Sequence, residues 1–150
     1  MLTQIINGKI LTANGWLEGG SIILCDSKIL EIANSDLPRV GATIVDVKGD
    51  YILPGFVAMN IHGGGGHAYK EGTREAFDIA TDVHLKHGAT TIFPTIYTAK
   101  TEKIYNSVRV CEEVMGEGKT VVKGIHIAGP YFNPQMVKSF PGAKNPDKEE

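Results

Sequence analysis

The chain's five histidines are its main supply of metal-binding and acid–base side chains, and two of them bracket four glycines in NIHGGGGH, residues 60–67. The apolar run YILPGFVAM precedes this stretch, so Asn60 and His62 fall at the C-terminal end of a predicted buried strand. They are two residues apart and therefore point to one side. Parallel strands of α/β folds present functional side chains at that end. A His-x-His pair there would make a good partial zinc site, because imidazole is a common zinc ligand. Asn60 leaves one histidine, and one histidine is not a site. The glycines have two readings, close approach of a substrate to the backbone or a mobile turn. His67 is too far along the loop to share the strand geometry and is expected to face solvent. His126 lies in GIHIAGPYF on another predicted strand, with Ala128 on the same face. A carboxylate at 128 would join His62 as a strand-end ligand pair; an alanine ligates nothing. His84 and His87 fall near the end of a predicted helix, where the C-terminal dipole favours imidazolium, and read as helix-end residues rather than ligands.

Other chemistries find no support. No Gly-Lys-Ser/Thr follows the glycine block, so it is not a phosphate loop. Its spacing does not fit a dinucleotide fingerprint, and there is no Gly-x-Ser-x-Gly elbow. With 42% hydrophobic and 21% charged residues and a net charge of -2, the composition is that of an ordinary globular protein. The near-neutral balance argues against nucleic acid or an acidic membrane surface as an obligatory partner. No apolar run approaches the roughly 20 residues of a membrane helix, and the N-terminus reads as no signal peptide. Cys25 and Cys111 are far apart and form no CxxC motif. They are expected to be reduced, buried thiols of a cytoplasmic protein.

The elements that must position these residues change character along the chain. Over residues 1–53, short β-rich runs alternate with Asn7-Gly8, Asn14-Gly15, Gly19-Gly20 and Asp26-Ser27, which predicts a small antiparallel meander or sandwich. Over residues 54–150, GFVAMNI predicts a strand, and TREAFDIATDVHLKHG a helix capped by Thr73 and stopped at Gly88. TTIFPTIYT predicts a second strand. TEKIYNSVRVCEEVMG predicts a second helix, capped by Thr101 and stopped at Gly116, with Ile104, Val108, Cys111 and Met115 as its apolar stripe. TVVKGIHIA predicts a third strand, and the tail NPQMVKSFPGAKNPDKEE is polar and loop-like. Strand–helix alternation implies parallel βαβ units. A closed barrel of eight such units takes about 250 residues, so the fold class expected is α/β, a small β-sandwich subdomain followed by the first two to three βα units of an incomplete barrel.

Read in order, GDYILPGFVAMNIHGGGGH, HGATTIFPT and GIHIAGPYFNP resemble the N-terminal part of the N-acetylglucosamine-6-phosphate deacetylase family, of the amidohydrolase superfamily. The leader IINGKILTANGW matches the small β-sandwich half of these enzymes. HxxGPYFNP after TxxFPT favours this branch over dihydroorotases. The resemblance implies a metal-dependent (β/α)8 barrel, zinc being the expected metal. In it a metal-bound water attacks the amide of a sugar phosphate, acetate is released, and a later aspartate shuttles the proton. It also implies a homodimer for a full-length member. Carried over position by position, it places metal ligands at Asn60, His62 and position 128, and substrate contacts at Asn60, Gly63, Gly64 and Lys144. Several of these positions depart from the family's residues. The aspartate that usually follows PGF is Ala58, the first histidine is Asn60, the shared glutamate ligand is Ala128, and a loop histidine is Lys144 within GAKNP. Asn60 alone is tolerable, since some members keep one metal with Gln and Asn at the two histidine positions. The resemblance therefore implies a chain with no catalytic residue of its own and no tight zinc binding. The alternative is a non-catalytic relative that keeps the fold for sugar-phosphate binding or assembly.

Overall fold

The computed structural model describes residues 1–97, 99–133, 135 and 143–144. The chain divides into two compact units, Met1–Pro54 and a second that begins at Gly55.

The first unit is all strand: β1 (Leu2–Ile6), β2 (Lys9–Thr12), β3 (Gly15–Leu17), β4 (Ser21–Cys25), β5 (Lys28–Ala33), β6 (Thr43–Asp46) and β7 (Tyr51–Ile52). They form a four-stranded sheet of order β5-β4-β1-β6 and a three-stranded sheet of order β3-β2-β7. The expected dipeptides do turn the chain: Asn7, Gly15, Gly19 and Asp26 all have positive φ. The pairing is not purely antiparallel, because β6 joins β1 and β7 joins β2 in parallel. The reason lies in the segment between β5 and β6, which carries the chain back beside β1 instead of reversing it in a hairpin. Buried Gln4 fixes that return. Its Nε2 donates to Ser21 Oγ at 2.9 Å and to Leu37 O at 3.0 Å, while its Oε1 accepts from Arg39 N at 2.7 Å. Ser21 Oγ donates in turn to Ser35 O at 2.7 Å. Cys25, expected to be buried, ends β4 in an exposed position, since it sits beside the Asp26 turn.

The second unit contains β8 (Phe56–Ile61), the short strands β9 (Gly63–Gly64) and β10 (His67–Ala68), a single 3-10 turn (Tyr69–Glu71), α1 (Arg74–Lys86), β11 (Ala89–Tyr97), α2 (Thr101–Gly116) and β12 (His126–Ala128). The main sheet has the order β12-β11-β8, with both pairings parallel. It thus makes two complete βα units and the start of a third. Thr73 caps α1, its Oγ1 accepting from Ala76 N at 3.3 Å, and Gly88 leaves the helix at φ 91°. The second helix differs from expectation at its start: Lys100 is the N-cap and makes no side-chain cap bond, so Thr101 is already helical. Its buried face is Ser107, Val110, Cys111 and Val114, while Met115 is exposed. The stripe rotates because Ser107 turns inward, its Oγ donating to Tyr69 O at 3.0 Å. The third strand is shorter than its apolar pattern: Val122 bridges Ile92 in isolation, and regular pairing begins at His126. Between them a Cβ on Gly124 would lie 3.1 Å from the Phe93 ring, a close approach that displaces the backbone from the ladder. Pro94 inside β11 has no N–H to give, and the β11–β8 register shifts between Ile92 and Pro94.

The core lies between this sheet and the two helices. Tyr69, Phe77, Ala80, Ile96, Val110, Cys111, Val114 and Val122 form one buried cluster, with Ile61, Ile104 and Ile125 packed against it. Tyr69 and Phe77 meet edge to face with centroids 5.0 Å apart. Among the described residues no helix is long and apolar enough to cross a membrane.

Candidate functional site

Alternation along the strands sorts their side chains between two faces. Ile61, Ile96 and Ile125 pack on the helix-side core, so Asn60 and His62, which flank Ile61 at the end of β8, face the other way. Thr95 and Tyr97 share that face, and so do His126 and Ala128, which lie opposite them in register. The side-chain contacts agree. The His62 ring stands edge-on to the Tyr97 ring at 5.0 Å and 79°. His126 Nδ1 lies 3.2 Å from Thr95 Oγ1, which donates to Met59 O at 3.4 Å. Asn60, His62 and His126 are exposed on this face and Ala128 is half-buried there.

The glycine run is a built hairpin. Gly63 and Gly64 pair antiparallel with Ala68 and His67. Gly65 and Gly66 turn the chain with φ 62° and 86°, a conformation that glycine adopts without penalty. A Cβ on Gly63 would sit 2.1 Å from His67 O, and one on Gly65 would meet Ile79 at 2.7 Å. The run is therefore a tight turn pressed on α1. His84 of α1 holds it, its Nε2 lying 3.0 Å from Gly63 O, while His87 Nδ1 lies 2.8 Å from Val83 O at the helix end.

The hairpin delivers the 3-10 turn to the strand end, where Tyr69 N donates to His62 O at 3.0 Å. Glu71 Oε1 accepts from Ala68 N at 2.6 Å, and its Oε2 lies 3.3 Å from His67 Nδ1. His67 is thus half-buried and paired, not simply solvent-facing. The Ala68 N–H, and after it His67, hold the Glu71 carboxyl below the usual glutamate range. A carboxyl whose folded pKa is depressed adds stability above its unfolded pKa and loses it as pH falls through the folded value. Glu71→Gln is therefore expected to flatten the acid limb of the thermal-unfolding midpoint below about pH 4.3 and to leave its shape near neutrality unchanged. Identical acid limbs in the two proteins would contradict the assignment.

The turn also places Lys70, whose Nζ contacts Tyr97 Oη and lies 4.1 Å from the centre of the Tyr97 ring. The sequence reading passed over both residues. Tyr97 was detectable, since it ends the second strand with the parity of Thr95, but nothing local announces that Lys70 turns back toward the sheet. Lys144 lies elsewhere, in the segment after β12. Its N donates to Pro130 O at 2.7 Å, and it lines a shallow cavity with Thr101, Ile104, Tyr105 and Ile127. The structure thus groups His62 with Tyr97 and Lys70, pairs His126 with Thr95, and uses Gly63 and Gly64 for packing.

A divalent metal does not fit these residues. Zinc sites take three or four protein ligands from Cys, His, Asp or Glu. Among the described residues no group of three such side chains comes together. On the face that carries His62 and His126, position 128 holds only a methyl group, and Ala58 likewise offers no donor.

No protein-family model matches the chain. The N-acetylglucosamine-6-phosphate deacetylase of Haemophilus influenzae is 30% identical over 136 residues, covering 89% of this chain and 35% of that protein. The crystal structure of the N-acetylglucosamine-6-phosphate deacetylase from Pasteurella multocida superposes with a TM-score of 0.82 at 26% identity, over 90% of this chain and 36% of that one. A dihydroorotase of Staphylococcus aureus is 35% identical over 91 residues, which is 60% of this chain and 20% of that protein. The fold and these likenesses together match the N-terminal portion of such enzymes, a small β subdomain and the opening βα units of a barrel. Within that class the likeness that runs the length of the chain is to the deacetylases: the chain corresponds to an N-terminal portion of an N-acetylglucosamine-6-phosphate deacetylase. It spans about a third of the length of the relatives it matches.

Proposed function

We propose that the chain is the segment of a sugar-phosphate deacetylase that builds the β-rich subdomain, residues 1–53, and the first units of the barrel, residues 54–150. A longer protein carrying it would release acetate and glucosamine 6-phosphate from N-acetylglucosamine 6-phosphate as a cytoplasmic homodimer dependent on a divalent metal, zinc by expectation. This segment alone is not catalytic. The observation that carries the reading is a likeness to deacetylases over 89% of the chain, combined with alanine at both carboxylate positions of the strand ends, Ala58 and Ala128. Asn60, His62, Gly63, Gly64 and Lys144 are the residues proposed to lie near the substrate in the longer protein. A non-catalytic relative is not favoured, because the proteins it resembles are named as enzymes. The test joins this chain to the remaining segment of the Haemophilus influenzae deacetylase and follows acetate release. The isolated chain is expected to release none, and the chimera is expected to release acetate, faster when it carries Ala128→Glu. Acetate release by the isolated chain, or a chimera equally active with Ala128 and Glu, would overturn the reading.

A further inference from the structure

We propose that the strand ends that do not hold a metal instead form a binding site for a small oxyanion, a carboxylate or a phosphate group, centred on Lys70, Tyr97 and His62. The inference rests on the described residues alone and stands whether or not a longer protein deacetylates a sugar.

Lys70 is half-buried, with its ammonium on the Tyr97 hydroxyl and 4.1 Å from the ring centre. An ammonium has three donors and no acceptor. One is spent on Tyr97 Oη, which leaves two. Because the tyrosine oxygen accepts from Lys70, its own O–H is free to donate outward, and hydrogen-bonded chains of this kind polarise the next donor. His62 adds an imidazole edge-on to the same ring at 5.0 Å, and Asn60 projects its amide on the same face of β8. The carboxylate nearest in sequence, Glu71, does not neutralise Lys70: both its oxygens are engaged, by Ala68 N and by His67 Nδ1. No ion pair of Lys70 with a carboxylate occurs among the described residues. Ala58 and Ala128, where the deacetylase resemblance places carboxylates, remove the two negative charges that would oppose an anion here. The site is therefore rich in donors and holds one uncompensated cation. Its complement is a ligand with two or more charged oxygens, since a hydrogen bond between charged partners is shorter and stronger than a neutral one.

Sodium acetate and inorganic phosphate, titrated separately at constant ionic strength into the isotopically labelled chain, distinguish the two sources of the oxyanion. The Tyr97 and His62 ring resonances are expected to shift saturably with at least one of them, and the responding anion names the class. Lys70→Met keeps the aliphatic stem over Tyr97 and removes the charge. It is expected to weaken binding about tenfold or more, whereas Lys28→Met in the first unit leaves it unchanged. Tyr97→Phe keeps the ring and removes the hydroxyl donor, giving a smaller loss without repacking. Absence of a saturable shift with both anions would overturn the proposal, as would equal affinities in the chain and in Lys70→Met.

Discussion

Replacing Phe77 by alanine is expected to destabilise the second unit by about 3–5 kcal/mol, a large share of the whole stability of a small domain, which is about 5–15 kcal/mol. Phe77 is fully buried, and it is the largest side chain by which α1, together with Ala80, joins the cluster formed by Ile96 of β11, Val110 and Val114 of α2, and Val122. Its ring also meets Tyr69 edge to face at 5.0 Å, a contact worth about 0.5–1.5 kcal/mol beyond the area it buries. Tyr69 belongs to the 3-10 turn that carries Lys70, so the loss would reach the strand-end face as well as the core. Urea unfolding followed by amide exchange over residues 61–122 measures the effect. A loss below about 1 kcal/mol would mean that α1 is not anchored through this residue.

The second large effect is a gain. Ala58→Asp, Asn60→His and Ala128→Glu together are expected to raise zinc affinity by about 100-fold or more, because loss of even an outer partner of a ligand costs about 10- to 100-fold and three direct donors are being supplied. The geometry allows it. Positions 60 and 62 share one face at the end of β8, and position 128 shares it on β12 with only β11 between. Strands lie about 4.8 Å apart, so ligands on β8 and β12 start about 10 Å apart by the same spacing, a gap that an imidazole and a glutamate span from both sides. The accompanying result concerns Lys70: a cation beside the new ion opposes it, so adding Lys70→Met to the triple variant should tighten zinc further. Zinc affinity of the triple variant equal to that of the unaltered chain would show that the strand ends do not converge.

Much of the second unit was legible because its signals are local. Thr73 and Gly88 bound α1 through a cap bond and a positive φ, and both depend on residues adjacent in sequence. Alternation placed Asn60 with His62, and His126 with Ala128, on common faces. What stayed hidden depends on distant partners. Ser107 reads as polar and outward, yet it turns inward because Tyr69 O needs a donor 38 residues away. The return of β6 beside β1 depends on Gln4, whose amide is satisfied by Ser21, Leu37 and Arg39. Such a buried network looks like ordinary surface polarity in a linear reading. The glycine run shows the same limit from the other side. Its composition permits a mobile turn or a substrate cradle, but the 2.1 Å approach of a Gly63 Cβ to His67 O shows that the cross-strand backbone already requires glycine. Lys70 and Tyr97 come together across 27 residues, through a turn whose direction is set by the His62–Tyr69 backbone bond and the Glu71 cap. The departures at Ala58 and Ala128 were readable as identities. The structure adds that no other carboxylate, among the described residues, comes forward to complete a cluster of three ligands.

Equilibrium dialysis of the unaltered chain against zinc tests the central claim most directly, namely that His62 and its neighbours do not hold a metal. The expected result is no saturable zinc at micromolar free metal, with the His62 and His126 ring resonances unmoved. One zinc per chain at sub-micromolar affinity, with both histidines shifting together, would contradict it.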